Sequence, residues 1–495
     1  MNLLQKQGFF NSLILYAGIM LGFFNGIILF QRVLSIEEIG FFTLTTTVIA
    51  LYTQVASLGI NNIIVKFFPH YRTDDKKHGG FVTFVFLWSL VSFIFFTILF
   101  VVSRDSIVSH YEGKYGAQLL FQYFYYLIPL AFFTLTFSVI ESLALTVFKN
   151  VFSSFLREVG LRLFTSASVL LIATRVIDYH TFILIYVFAN ALMVLVLAVY
   201  IVKDGNFKFS KIGPALKNDR WKFINYGVFT VLSNSSFVMI QNLDTLMLSL
   251  LTKQSFFYVG IYSTFFAIAV VISLPAKALS RTSLQIVSQA WATNDVAKIG
   301  KIYYKTSVVQ MLIGCLLFTG LVINKQFIIM LLHKPEYKGC FDVFIVVGLA
   351  FLVDMTGGLN NYIINLSKYY RLTTVFYISG VVLCLVSNLI LIPRFNMMGA
   401  AIGYLVTMVV LNFTYWLFIK IKFGLQPFAK AHLYVLLVFG VSLFIGIYLP
   451  QLKNLFVDMV YRSIIVGVVY VFLAYFLKIS EDINLIFDRV LKRGS

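Results

Sequence analysis

The chain has 495 residues, of which 60% are hydrophobic and only 12% charged, with a formal net charge of +19. Such a composition excludes an ordinary soluble domain, and the basic excess is assigned to loops lying against anionic headgroups rather than to nucleic acid. Cys315, Cys340 and Cys384 stand far apart without CxxC spacing, so they predict neither a metal site nor a disulfide framework, and no cofactor is expected.

Along the chain, apolar runs close to the length a helix needs to cross a hydrocarbon core of ~30 Å recur many times. They lie at about 10–31, 39–65, 80–102, 118–148, 152–174, 181–202, 223–250, 257–280, 302–323, 341–365, 372–392, 398–419, 432–449 and 461–477. Period-2 alternation is missing, so the expected fold is an all-α polytopic membrane protein of about 14 transmembrane helices. The first run is too long for the h-region of a cleavable signal peptide. Lys203, Lys208, Lys211, Lys217, Arg220 and Lys222 crowd the 203–222 connection. That asymmetry places both the N- and C-termini in the cytoplasm.

The first half of the chain resembles the second. At an offset of 220, Gly40 meets Gly260, Ala56 meets Ala276, Tyr71 meets Trp291, Thr73 meets Thr293, Asp75 meets Asp295 and Gly80 meets Gly300. At 219, Leu130-Ala131-Phe132 falls on Leu349-Ala350-Phe351, and Lys149 on Lys368. The identities are sparse, but they fall at equivalent helix ends and loops. Six being even, the repeats share one orientation, related by a pseudo-two-fold axis along the membrane normal. The expected organisation is an N-terminal six-helix lobe (1–202), a basic cytoplasmic linker (203–222), a C-terminal six-helix lobe (223–421), and two additional helices with a basic tail (422–495).

No connection is long enough for a catalytic domain; the longest outer loops, about 103–117 and 324–340, are short. A membrane glycan polymerase or transferase needs such a domain, so an enzyme is not expected. The acidic pairs Glu37-Glu38 and Asp74-Asp75 flank helix starts, where carboxylates satisfy free N–H groups.

The segment Phe30-Gln31-Arg32-Val33-Leu34-Ser35-Ile36-Glu37-Glu38-Ile39-Gly40 resembles the opening signature of polysaccharide-export flippases, "R-x-L-[ST]-x-E-E-x-G". Asn242-Leu243-Asp244 and Val259-Gly260-Ile261-Tyr262-Ser263 form the companion pattern in the second half. With the 12-plus-2 plan, the chain is similar to the Wzx-like branch of the multidrug/oligosaccharidyl-lipid/polysaccharide exporter superfamily. The resemblance implies a multi-pass protein of the bacterial cytoplasmic (inner) membrane that flips an isoprenoid-pyrophosphate-linked glycan to the outer leaflet, with possible polysaccharide polymerase or assembly partners. Lipid II flippases and MATE-like cation-coupled exporters belong to the same superfamily and stay open as alternatives; spans 13 and 14 argue mildly against the latter. A scaffold for an assembly complex is the non-transport alternative.

A glycan head crosses only through a hydrated cavity, because each hydroxyl stripped of water without a partner costs roughly 1–3 kcal/mol. Candidate lining residues are Asn11 and Asn25 on span one, in a seven-residue stripe with Gly18 and Arg32. Gln54, Asn61 and Asn62 follow on span two, in line with Thr43 and Thr47, and Gln241 and Asn242 on span seven. Polar residues at such positions can equally be interhelical glue. Lys66, Lys277 and Arg281 are candidates for a pyrophosphate-binding inner mouth. The embedded carboxylates Glu141, Asp244 and Asp354 are candidates for proton or sodium coupling, or for ion pairing with a cation such as Arg162. Pro129 and Pro275 are expected to interrupt spans four and eight, and Gly357-Gly358 to loosen span ten.

Overall fold

The computed structural model describes residues 3–203, 205–480 and 484. The regular structure of those residues is all helical, with no strand among them. Twelve helices are long and apolar enough to cross a membrane. Two of the fourteen expected spans are built differently. Span five is a helical run of Asn150–Phe155, a π-helical turn at Leu156–Gly160, and Leu161–Ala173, and it carries Arg157, Glu158 and Arg162. Span ten stops at Thr356; Gly357 and Gly358 turn the chain, with φ +59° at Gly358, before a short helix at Asn360–Asn365. A left-handed φ is cheap for glycine alone, so the pair there ends the helix rather than loosening it.

Span two also breaks. Its helix runs Ile36–Ala56, Leu58 and Gly59 take φ of 43° and 76°, and a second helix follows at Ile60–Tyr71. The expected prolines do not interrupt their helices. Pro275 lies inside one continuous helix, Ser255–Ala292. Pro129 sits in the first turn of Leu127–Thr146, where a missing N–H costs no intrahelical bond; the break comes earlier, at the 3₁₀ turn Phe124–Tyr126.

The helix starts follow their sequence. Ser35 accepts a hydrogen bond from the Glu38 N–H at 3.1 Å, and Glu38 Oε2 accepts from the Ser35 N–H at 2.7 Å, a capping box opening Ile36–Ala56. Asp75 accepts from the Thr73 hydroxyl and the Lys77 N–H, and its repeat counterpart Asp295 accepts from the Lys298 N–H at 2.9 Å. The order of elements recurs as well. The short helix Arg104–Tyr111 follows Phe81–Val102, just as Lys325–Leu332 follows Val296–Ile323.

The chain divides into two compact units, 1–260 and 261–495. In the first, residues 203–222 are no free tether. Lys208 N–H donates to the Lys76 carbonyl at 2.9 Å and Gly213 N–H to the Gly79 carbonyl at 2.8 Å. Buried His78 contacts the Asn206 carbonyl through Nε2 at 2.7 Å and receives the Thr73 N–H on Nδ1 at 3.1 Å. Tyr71 donates to Asp219 at 2.5 Å, and Lys222 pairs with the same carboxylate at 2.6 Å. These bonds latch the basic connection onto the loop between spans two and three. In the second unit, Gly300, the counterpart of Gly80, packs against Leu425 in the connection after span twelve, whereas Gly80 packs against Lys211 in the connection after span six.

Candidate functional site

The first unit gathers two partly exposed ion pairs where spans one, four and five meet. Glu141 on Leu127–Thr146 forms an ion pair with Arg157, whose guanidinium also lies 5.2 Å from the centre of the Phe137 ring. Glu158 pairs with Arg162 at 3.1 Å, and Arg162 donates to the Gly18 carbonyl. Glu141 therefore finds its partner in Arg157, not Arg162: the π-helical turn adds a residue to the helix and redistributes the two guanidinium groups between the two carboxylates. Glycines at positions 18 and 22 make room for this cluster. A Cβ on Gly18 would meet Glu158 Cβ at 2.8 Å, and one on Gly22 would collide with Arg162. Neither pair is sealed from solvent: the side chains of Glu141 and Arg157 keep 22% and 45% of their surface, and those of Glu158 and Arg162 keep 24% and 34%.

The remaining candidates of this unit divide by what they touch. Asn25, inside a second π-helical stretch at Phe24–Leu29, donates to the Arg162 carbonyl at 3.0 Å and accepts from Ser166 at 2.6 Å. Gly18 and Asn25 thus face span five, and Asn25 ties two helices together. Asn11 is half-buried, and its Oδ1 has no protein hydrogen-bond partner. Asn61 donates to Ser138 at 3.3 Å and leaves its own Oδ1 unpartnered. Gln54 and Asn62 are half-buried. The break at Leu58-Gly59 lies between Gln54 and Asn61, so the span-two stripe does not run along one continuous helical face. On Arg220–Leu251, Gln241 is exposed, Asn242 donates to the Val238 carbonyl one turn back, and Asp244 is buried. Lys66 is exposed, with its ammonium 3.8 Å from the centre of the Tyr226 ring.

The second unit has its own polar network at the break in span ten. Asp354 accepts from Asn412 at 3.3 Å, Asn360 donates to Asn412 at 2.8 Å, and Asn361 donates to the Tyr377 hydroxyl at 2.6 Å. Lys277, exposed on Ser255–Ala292, interacts electrostatically with Asp354. The Asp354 side chain is exposed at the edge of this network, with the Asn412 amide against it. Ser307 donates to the Thr356 carbonyl at 2.6 Å and contacts His432 Nε2 at 2.9 Å, so the break is tied to the helix Lys430–Tyr448. The side chain of Arg281 lies outside the described residues.

Sequence reasoning passed over Arg157, Glu158 and Asn412. The first two had a visible signal: with Arg162 they place three charges within six residues of an otherwise apolar run. No group of three or more His, Cys, Asp and Glu side chains able to hold a metal ion occurs among the described residues.

The sequence profile of a family described as polysaccharide biosynthesis protein matches residues 4–281. A curated relative, "Probable low-salt glycan biosynthesis flippase Agl15" of Haloferax volcanii, is 25% identical over 272 residues, covering 51% of this chain and 56% of its own length. The match thus spans little more than half of that relative. Among solved structures, a lipid II flippase, MurJ, in an inward closed conformation superposes with a TM-score of 0.77 at 13% identity, covering 94% of this chain and 98% of its own. An inward-facing MATE-family multidrug resistance transporter of the MOP superfamily gives a TM-score of 0.63 at 13% identity, covering 82% and 94%. The fold is therefore that of the MurJ and MATE transporters, and the chain is a multi-pass membrane protein. By the match over more than half of its length, this chain belongs to the polysaccharide biosynthesis protein family.

Proposed function

We propose that this chain is a flippase that moves an isoprenoid-pyrophosphate-linked oligosaccharide from the cytoplasmic to the outer leaflet by alternating access, with both termini in the cytoplasm of a bacterial inner membrane. The observation that carries the reading is the double ion pair Glu141–Arg157 and Glu158–Arg162, set where the broken helical run 150–173 packs against two helices long and apolar enough to cross a membrane. Charges in that position are costly to bury and accompany a polar path rather than a packing core. Family membership and the glycan-flippase description of the archaeal relative support the substrate class.

In this proposal the chain catalyses no covalent chemistry. Asn11, Gln54, Asn61, Asn62, Gln241 and Asn242 supply hydrogen bonds to a hydrated head group, while Asn25 holds spans one and five together and the isoprenoid tail stays in lipid. Lys66 of the first unit, and Lys277 and Arg281 of the second, are the cations each unit offers to the pyrophosphate, Lys as a point charge and Arg as a two-pronged donor. Glu141 is the coupling group: a proton or sodium ion reaching its carboxylate competes with Arg157 and loosens the contact between spans four and five. Asp354, with Asn412 and Lys277 beside it, is the corresponding candidate of the second unit, and buried Asp244 orients span seven.

The outer ends of the first unit are fastened in a way that suits a closed outer gate. Tyr115 N–H donates to the Lys253 carbonyl at 2.9 Å, the Tyr111 and Ser249 hydroxyls lie 2.7 Å apart, and Lys114 donates to the Leu250 carbonyl. Release of these bonds is the step that would admit the glycan to the outer side. The test is mass spectrometry of isoprenoid-linked lipids in cells with and without the gene. One accumulating pyrophosphate-linked glycan supports the proposal and names its cargo. Accumulation of lipid II reassigns the chain to that substrate, and unchanged lipids with new sensitivity to toxic cations replace it with a MATE-like exporter.

A further inference from the structure

The latch between residues 76–83 and 206–213 does more than hold the connection down. It places the exposed aromatic ring of Phe209 at the mouth of an apolar groove of about 400 Å³ between the helices Phe81–Val102 and Leu127–Thr146. Phe86, Leu87, Leu90, Phe93, Phe132 and Leu135 line the groove, and the Phe209 and Phe86 ring centres are 5.6 Å apart. Phe209 is held there from both neighbours. Lys208 N–H donates to the Lys76 carbonyl. On the other side Thr83 donates its hydroxyl to the Ser210 carbonyl at 2.8 Å, accepts the Ser210 N–H at 3.2 Å, and Ser210 Oγ reaches the Lys77 carbonyl at 3.2 Å. Lys76, Lys77, Lys208 and Lys211 are all exposed on these two joined segments.

We infer that this groove is a binding site for an anionic glycerophospholipid of the cytoplasmic leaflet, one acyl chain lying against Phe86, Leu90 and Phe132 and the headgroup phosphate between Lys208 and Lys211. Three observations choose this occupant. The groove opens along membrane-spanning helices, so whatever fills it is hydrocarbon. Its mouth is cationic, and juxtamembrane lysines attract anionic lipid. Two of its three hydroxyls are already used, Thr83 on Ser210 and Ser89 on the Val85 carbonyl, which leaves Thr136 as a single polar side chain among aromatic and aliphatic ones, little to receive a glycan head. A bound lipid here would pin the connection that leads from span six to span seven. The inference is independent of the flippase reading, because it needs only the groove and the latch.

The experiment is native mass spectrometry of the full-length protein in detergent, titrated separately with phosphatidylglycerol, phosphatidylcholine and undecaprenyl phosphate. The wild type is expected to retain phosphatidylglycerol in preference to phosphatidylcholine. Lys208→Gln with Lys211→Gln should weaken phosphatidylglycerol about ten- to thirty-fold and leave phosphatidylcholine unchanged. Leu90→Trp, which fills the groove, should weaken both, with circular dichroism confirming that each variant keeps its helix content. Equal retention of the two phospholipids by the wild type would overturn the proposal, as would undiminished phosphatidylglycerol binding in either variant. Displacement of phosphatidylglycerol by undecaprenyl phosphate, with the same sensitivity to both variants, would show a carrier-lipid site instead.

Discussion

Gly40 and Gly260, repeat counterparts in the sequence, pack directly against each other at the starts of the helices Ile36–Ala56 and Ser255–Ala292. A Cβ on Gly40 would lie 2.9 Å from the Gly260 nitrogen and collide with the Phe256 carbonyl, while one on Gly260 would collide with the Ile36 carbonyl and approach Ile36 Cγ2 to 2.9 Å. The flippase-like signature thus has a local physical content: Ser35 and Glu38 open the helix, and Gly40 lets another backbone approach it. Because the obstacle is backbone carbonyl rather than a flexible side chain, neither helix can yield cheaply. Gly40→Ala and Gly260→Ala should each destabilise the protein by about 1–3 kcal/mol. Gly320→Ala, in open space on Val296–Ile323, should be neutral or slightly stabilising. Thermal unfolding of the three variants in detergent checks this order, and equal melting temperatures for Gly40→Ala and Gly320→Ala would contradict it.

Glu141→Gln removes the carboxylate charge for which Arg157 and the coupling ion compete. Transport by this variant is expected to fall about tenfold or more and to lose its dependence on a proton or sodium gradient, since a partly accessible ion pair is worth around 1 kcal/mol or more only while both charges stand. The measurement is glycolipid flipping in proteoliposomes with and without each gradient. A gradient dependence equal to wild type would reduce the Glu141–Arg157 pair to a structural tie.

Lys66→Ala combined with Arg281→Ala should impair export without lowering the amount of protein in the membrane. Lys66 rests on Tyr226, so its loss also removes a cation–π contact of about 0.5–1 kcal/mol. Lys66→Arg keeps that contact and the charge, and should retain export. Normal export by the double variant would remove these residues from the entrance.

The latch carries a pH signature. Lys222, and after it the Tyr71 hydroxyl, hold the Asp219 carboxyl below its ordinary value of 3.8. A depressed folded-state pKa stabilises fully above the unfolded value and is lost as pH falls through the folded one. Tyr71→Phe should therefore lower the melting temperature by a constant amount from pH 8 down to about 5, and the difference from wild type should shrink only below about pH 4. A difference that changes between pH 8 and 5 would assign the effect to a group other than Asp219.

Much of the fold was legible because membrane burial writes itself into composition: long apolar runs and capping carboxylates at Glu38 and Asp75 lie where the residues require them. The breaks were less legible. Leu58 and Gly59 turn span two inside a run that reads as one span, and the polar Gln54, Ser57, Asn61 and Asn62 around the glycine read as a stripe rather than as a break. Pro275 misled in the other direction, since a long packed helix absorbs one missing hydrogen bond. The ion pairs were half visible. Glu141 and Arg162 stand out as charges, but their partners depend on a π-helical turn at Leu156–Gly160 that no side-chain period announces. Asn25 illustrates the same gap: its helical stripe was readable, and the bonds to span five that use it were not.

The most direct test of the account is leaflet-resolved flipping by the purified full-length chain in proteoliposomes, using the pyrophosphate-linked glycan that accumulates when the gene is removed. The account predicts that the wild-type protein makes this lipid accessible on the opposite leaflet and that Glu141→Gln slows it at least about tenfold. Access at the rate of protein-free liposomes, by wild type under every ion gradient, would contradict the proposed flippase function.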